Sequence, residues 1–256
     1  MKMSATLVIQ SHRVPLPYAW LQPCLDSVAN WARVKDYDYR FVDDQIFDLL
    51  EPGLADKLRG QPVIASDLAR LKSLQQGLAE GYACVIWCDA DFLIFETDDF
   101  ILPEADFALG REVWVQLGEH GNLRPYVKVH NAFLMFRQGN HFLDFYTDTA
   151  ERLLHLNQGR MPPQFIGPKL LTALHNIAIC PVMETAGMFS PAVMHDLLTG
   201  AGEALDLFHR KSPAVLAGAN LSSSLTEREG LTDAHMESLI QLLLSSGSVV
   251  TAFNER

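Results

Sequence analysis

The sequence predicts an α/β fold with a mixed, mostly parallel central sheet flanked by helices. Apolar runs of strand length at 5–10, 37–42 and 83–88 alternate with stretches of helical period. Within about forty residues the order is strand, helix, strand, which builds a parallel pair with a crossover helix. Two of the runs end in acids, Asp43-Asp44 and Asp89-Ala90-Asp91, as buried strands do when their ends open on a site.

The strand at 5–10 leaves into a polar loop at 11–15, and Leu21, Cys24, Leu25, Val28 and Ala32 then mark an amphipathic helix. Pro62 opens the next element. Ser66 is a candidate cap for a helix with Leu68, Leu71, Leu74 and Leu78 along one stripe and Gly81 as its stop. Such a start places Asp67 and Arg70 in the first turns, where free N–H groups and a guanidinium suit phosphate or ribose. An Asp favoured by the helix dipole and paired with a surface Arg is the other reading. Two short strands are expected at 106–110 and 113–117, and a further strand at 130–136 begins with Asn131 beside it. A helix at 142–156 is expected to turn Phe142, Phe145, Thr149 and Leu153 to the core. The Gly167-Pro168 pair punctuates the loop before a helix at 170–175. The last helix, 233–245, is expected to pack on the sheet, with a closing strand or tail at 249–253. Without repeat or linker, 1–256 reads as one domain, softly divided at Gly139 into a 1–139 half and a 140–256 half.

A length of 256 residues with 48% hydrophobic and 20% charged content suits a globular chain with a sizeable core. A formal net charge of −11 argues against a nucleic-acid partner, which needs a basic footprint. Cys24, Cys84, Cys88 and Cys180 lack zinc spacing and read as buried thiols of a reducing compartment. No stretch reaches the ~18 apolar residues of a membrane span, and the N-terminus lacks a signal-peptide pattern. The expectation is a cytoplasmic protein with no integral membrane segment.

Asp89 and Asp91 lie on one side of an extended backbone with Cα atoms roughly 6.6 Å apart, so both can face one cation or diphosphate. No basic residue falls between Lys72 and Arg111, while Asp89, Asp91, Glu96, Asp98, Asp99, Glu104 and Asp106 crowd that interval. Crowding raises carboxylate pKa values, and Mg²⁺ or Mn²⁺, bound by one or two carboxylates with phosphate and water, would relieve it. The short Asp-x-Asp tripeptide is read equally as a strand cap beside a solvated acidic face. No Gly-x-Gly-x-x-Gly follows the first strand and no Gly-x-x-x-x-Gly-Lys-Ser/Thr occurs, so the dinucleotide and P-loop phosphate cradles are absent.

The order Gln10-Ser11, a strand ending in Asp43, Ser66-Asp67-Leu68-Ala69-Arg70 and Trp87-Cys88-Asp89-Ala90-Asp91 resembles nucleotide-sugar-dependent glycosyltransferases of the GT-A (Rossmann-like) fold, over about residues 5–140. The likeness is to bacterial polysaccharide-type enzymes with a Ser-Asp-x-x-Arg helix before an Asp-x-Asp strand. It implies a metal-dependent hexosyltransferase that carries a sugar from a UDP- or GDP-sugar to a glycan or lipid-linked hydroxyl, with retention. It further implies Mn²⁺ or Mg²⁺ on Asp89 and Asp91, with His209 completing the shell and His195 competing for that role. Gln10, Ser11 and Asp43 would line the nucleotide pocket. Asp67, Arg70, Asp89 and Gly167 would contact the donor, and Lys211 would steady the departing diphosphate. Asn131 and Gln164 join Asp91 as candidate catalytic groups, although Asn131 is equally a strand-start residue. Two other readings stay open: an Asp-x-Asp phosphohydrolase, which wants Thr or Val where Leu93 stands, and a non-catalytic sugar-binding relative.

Overall fold

Strand β1 (Thr6–Ser11) is buried along nearly all its length and leads to helix α1 (Leu21–Val34), whose buried Leu21, Cys24, Leu25, Val28, Trp31 and Ala32 follow the helical period. Strand β2 (Asp38–Val42) runs into a 3₁₀ turn at Asp44–Leu49, then α2 (Pro52–Lys57) and α3 (Pro62–Ala79). The computed structural model that shows this describes residues 5–226 and 228–245. The tail expected at 249–253 lies outside them. Strand β3 (Cys84–Cys88) is wholly buried, and the second apolar run forms β4 (Phe92–Ile94). Strands β5 (Phe107–Leu117) and β6 (Leu123–Arg137) make a long hairpin, followed by α4 (Phe142–Leu156) and α5 (Pro168–Ala178). The chain ends through β7 (Val182–Met183), β8 (Ala186–Met188), α6 (Pro191–Thr199), α7 (Glu203–Lys211), β9 (Gly218–Asn220), α8 (Ser223–Thr226) and α9 (Asp233–Ser245).

The main sheet has the order β2-β1-β3-β6-β5-β7, and a second, three-stranded sheet has the order β4-β9-β8. In the main sheet β2–β1, β1–β3 and β5–β7 are parallel, whereas β3–β6 and β6–β5 are antiparallel. The pleat of β1 and β3 divides their side chains between two cores. Leu7, Ile9, Val85 and Trp87 join one with residues of α3 and α4, while Val8, Cys84, Ile86 and Cys88 join another with Val28, Trp31 and Ala32 of α1. All four cysteines are free and buried. Strand β7 enters the main sheet and β9 pairs with β4, so residues on both sides of Gly139 share sheets. Among the described residues no helix is long and apolar enough to cross a membrane.

Four local expectations are corrected. Helix α3 begins at Pro62, which tolerates the first helical position because its missing N–H has no partner to lose there. Ser66 is therefore no cap, and Asp67 and Arg70 are buried in the helix body instead of lying at its positive end. The two short strands at 106–117 are one strand, β5, with its register shifted between Leu109 and Gly110. Helix α4 buries Leu143, Tyr146, Thr147, Ala150 and Leu154, and Phe145 is 53% exposed, so its inner stripe is turned by about one residue. Helix α9 spans the expected residues but packs chiefly on α6, in a core shared with Trp20, Leu21 and, from the main sheet, Val113 and Val115 of β5.

The register shift in β5 has a visible neighbour. A Cβ on Gly110 would collide with the His130 ring, so the strands approach at this point only because Gly110 lacks one. His130 is 0% exposed. Its Nδ1 accepts from Ala132 N at 3.1 Å and its Nε2 lies 3.2 Å from Ala186 O, an arrangement that places the proton on Nε2. Burial pushes its pKa down to about 4. A lowered histidine pKa contributes stability that is full above the unfolded value of about 6.5 and lost as pH falls through the folded value. Wild type should therefore lose up to about 3 kcal/mol from this group between pH 6.5 and 4. In urea titrations across that range, this part of the pH slope should be missing from His130→Gln. Gly110→Ala should cost about 1–3 kcal/mol at all pH values.

Candidate active site

The C-terminal ends of β1, β2 and β3 point into one cleft of about 500 Å³. Ser11, His12 and Arg13 line it after β1, and Asp44, Ile46 and Phe47 after β2. Helix α3 contributes Ser66, Asp67 and Arg70, the exit of β3 contributes Trp87, Asp89 and Asp91, and β6 contributes Asn131. The far wall includes Trp114, Met188, Gln164 and the segment from Asn220 to Leu225.

Arg70 ties the floor together. Its Nη2 lies 2.8 Å from Asp89 Oδ1, its Nη1 donates to Asn131 O at 2.7 Å, and its guanidinium sits 5.1 Å from the Trp87 ring centroid. Trp87 Nε1 donates to the same Asp89 Oδ1 at 2.6 Å. Asp67 Oδ1 lies 3.6 Å from Arg70 Nη1 and accepts from Asn131 Nδ2 at 2.7 Å. Asp67 Oδ2 and Arg70 Nε, both buried, have no hydrogen-bond partner among the described residues. A Cβ on Gly167 would strike Asp67 Oδ2 and crowd Asn131 Nδ2, so a glycine is what allows the 161–169 loop to close on this pair. Asp91 is held separately: Oδ1 accepts from Asn220 Nδ2 at 2.5 Å and Oδ2 from Ser223 N at 2.7 Å.

Burial raises the Asp89 pKa to about 6, with the Asp91 charge adding to the rise and Arg70 opposing it. Burial also raises that of Asp67, against Arg70 and the Asn131 hydrogen bond. With the carboxylates ionised, Asp44, Asp67, Asp89 and Asp91 line the cleft against the guanidinium groups of Arg13 and Arg70, a formal excess of two negative charges. That excess, together with hard oxygen donors on Asp89 and Asp91, fits Mg²⁺ or Mn²⁺. Among the described residues no group of three or more His, Cys, Asp or Glu side chains is arranged to hold a metal. An ion at the pair would take its other ligands from water or ligand oxygens.

Of the residues singled out from sequence, the structure brings Ser11, Asp67, Arg70, Asp89, Asp91, Asn131 and Gln164 to the cleft, with Gly167 packed behind. Others stand elsewhere. Gln10 is 0% exposed, and its amide is used internally, donating to Asp89 O at 3.0 Å and accepting from Tyr39 Oη at 3.1 Å. Asp43 caps the turn after β2 by accepting from Gln45 N at 2.9 Å, and its neighbour Asp44 lines the cleft in its place. His209 and Lys211 lie in the last turn of α7, a helix that packs on β5 and β6 through Phe208, and neither lines the cleft. His195 sits 3.1 Å from Glu229 O, also away from it. The acidic crowding is offset in part through space by Arg70, whereas Asp98, Asp99, Glu104 and Asp106 are exposed to solvent. Sequence reasoning did not assign Trp87, Trp114, His12 or Arg13 to the site. Only for Trp87 was there a usable signal, its place two residues before Asp89 on one face of a strand.

No protein-family model and no curated protein matches the sequence. Among solved structures, a glycosyltransferase involved in the glycosylation of the major capsid of the virus PBCV-1 aligns at a TM-score of 0.50 and 11% identity, over 91% of this chain and 98% of that one. The galactosyltransferase LgtC, solved with donor and acceptor sugar analogues, aligns at 0.46 and 14% identity over 92% and 95%. The first likeness assigns the fold, the GT-A type of mixed α/β sheet.

Replacing Arg70 by Met leaves the buried Asp67 and the partly exposed Asp89 without their cation. That should cost about 3–5 kcal/mol in urea unfolding at neutral pH. Arg70→Lys should recover only part of it, because one ammonium cannot reproduce a fork that reaches Asp89 and the Asn131 carbonyl together.

Proposed function

We propose that this protein is a glycosyltransferase that moves a sugar from a UDP- or GDP-sugar to a hydroxyl of a glycan or lipid-linked acceptor, in polysaccharide assembly on the cytoplasmic side. The observation that carries the reading is the cleft floor itself, where Asp67 and Asp89 pair with the Arg70 guanidinium and Asp91, held by Asn220 and Ser223, lines the same cleft at the exit of β3. Such a floor suits a divalent cation and a diphosphate in place of a lone anion. A fold shared with a glycosyltransferase that acts in capsid glycosylation supports it.

In this reading Ser11, His12, Asp44 and Phe47 form the nucleoside wall, and Asp89 and Asp91 hold Mn²⁺ or Mg²⁺. The ion supplies Lewis-acid neutralisation of the leaving diphosphate. Asp67 and Asn131, which line the cleft, hydrogen-bond the donor sugar's hydroxyls. Gln164 closes over it from the loop. Arg13, a cation lining the cleft, takes the diphosphate-steadying role expected of Lys211. Retention is carried over from the resemblance, and the three carboxylates weighed as an inverting base lie outside the cleft. Asp144 accepts from Gln75 Nε2, Glu184 is bound to Arg111 and Asp196 accepts from Leu205 N, and none of the three lines the cleft as an inverting base would.

A thermal-shift screen of nucleoside diphosphates, followed by assay of their release from the matching sugar donors, tests this. UDP or GDP should raise the melting temperature with Mn²⁺ present and much less without it. Turnover should be lost in Asp89→Asn and Asp91→Ala. Equal turnover in both variants, or phosphate release from a simple phosphomonoester without any sugar donor, overturns the assignment, the latter in favour of a phosphohydrolase. Donor binding without turnover over a broad acceptor panel points to a sugar-binding relative.

A further inference from the structure

We infer that one face of the β5–β6 hairpin is a saccharide-stacking platform, on which Trp114 and Tyr126 carry consecutive rings of a glycan acceptor up to the cleft. The inference rests on the glycosyltransferase reading and deepens it by naming the acceptor's chemistry and its seat.

Trp20, Trp31 and Trp87 are 2, 0 and 3% exposed, whereas Trp114 is only partly buried and lines the same cleft as Asp89 and Asp91. Its indole Nε1 donates to Gln116 Oε1 at 2.9 Å, so the polar edge is satisfied and the ring is anchored along its own strand. Strand order places it. The nucleoside wall follows β1 and β2 on one side of β3, and β6 and β5 lie on the other, so Trp114 stands across Asp89 from the nucleoside wall.

Register supplies the rest of the surface. Trp114 is directly opposite Tyr126, Glu112 opposite Lys128 and Gln116 opposite Arg124. Directly opposed residues of an antiparallel pair share a face, so these six side chains form one surface. The alternate residues Val113 and Val115 point the other way, into a core with Leu205 and Phe208 of α7. The hairpin is thus anchored on one side, and the other presents two aromatic rings among hydrogen-bonding groups. Tyr126 is 37% exposed, with Lys128 Nζ 5.5 Å from its ring centroid, and Gln116 and Arg124 are exposed.

That mixture selects the occupant. A pyranose has an apolar C–H face that stacks on an aromatic ring and a rim of hydroxyls that hydrogen-bond outward, which matches rings flanked by an amide, a guanidinium and an ammonium, Glu112 being buried beside Lys128. An alkyl chain needs continuous apolar surface, and on this face the two rings are bracketed by charge on both sides. A cross-strand pair spaced about 5 Å at Cβ sets two rings side by side, so the platform favours an acceptor of two or more sugars over one.

Saturation-transfer NMR with lactose, cellobiose and maltose at millimolar concentration, with methyl glucoside as the single-ring probe and decyl phosphate as the alkyl probe, tests this. Thermal shift by UDP and GDP with Mn²⁺ runs in parallel as the donor-side reference. At least one disaccharide should bind the wild type. Its affinity should fall roughly tenfold or more in Trp114→Ala and be largely kept in Trp114→Phe. Tyr126→Ala should weaken the disaccharide but not methyl glucoside. The nucleoside diphosphate shift should be the same in all four proteins. If Trp114→Ala fails to fold, the Phe and Tyr126 variants decide. Unchanged disaccharide binding in Trp114→Ala, no disaccharide binding to the wild type, or binding of decyl phosphate alone overturns the platform and leaves the donor reading intact. Saccharide binding through Trp114 with no nucleoside diphosphate shift in any protein overturns the donor reading and leaves the platform.

Discussion

The cleft depends on one buried cation. Arg70 reaches Asp89 with one guanidinium nitrogen and the Asn131 carbonyl with another, while its plane lies near the Trp87 ring and its stem belongs to α3. It therefore joins helix α3, the exit of β3 and the middle of β6 at a single point. Ionised groups taken out of water cost several kcal/mol each, and they persist only where partners are well placed. Here the partners are well placed but not complete. Asp67 Oδ2 and Arg70 Nε have no partner among the described residues, and two carboxylates more than cations remain. A core assembled for stability alone would have paired or removed them, and departures of this kind are expected at functional sites.

The surroundings of that point are held in place by hydrogen bonds and close packing. Gln10 is spent entirely on Asp89 O and Tyr39 Oη, which fixes the backbone from which the Asp89 side chain departs. Asn220 and the Ser223 amide hold both oxygens of Asp91, which ties the end of the second sheet to the Asp-x-Asp turn. Gly167 and Gly110 act by lacking a side chain, the first where a loop meets Asp67 and the second where β5 meets His130. Preorganisation of this kind lets a site hold charge without reorganising when the charge arrives.

Much of the frame was legible because its signals are local. The strand-helix-strand order, the run into Asp89 and Asp91, and the stripe of α3 depend on residues near one another in the chain, and the structure agrees with them to within a few positions. The misread elements share a cause. Pro62 and Ser66 are both acceptable helix starts by local chemistry, and packing of α3 against its neighbours decided between them. The stripe of α4 was set one residue round because Phe142 and Phe145 look like core by hydropathy, yet Leu143 and Tyr146 are the ones that face α3.

The sequence by itself determined the fold class, the acidic pair at a strand exit, the Asp67–Arg70 pair on one helix and the burial of the four thiols, since periodicity and residue type are properties of the chain alone. The tertiary structure decided which residues share the cleft. It made Arg70 the counter-charge of Asp89, took Gln10 and Asp43 into structural hydrogen bonds, kept His209 and Lys211 on a distant helix face, and brought Trp114 and Asn220 in. The physical reason is that charge pairing and hydrogen bonding act over a few ångströms of space, and only the strand order and helix packing convert sequence separation into such distances.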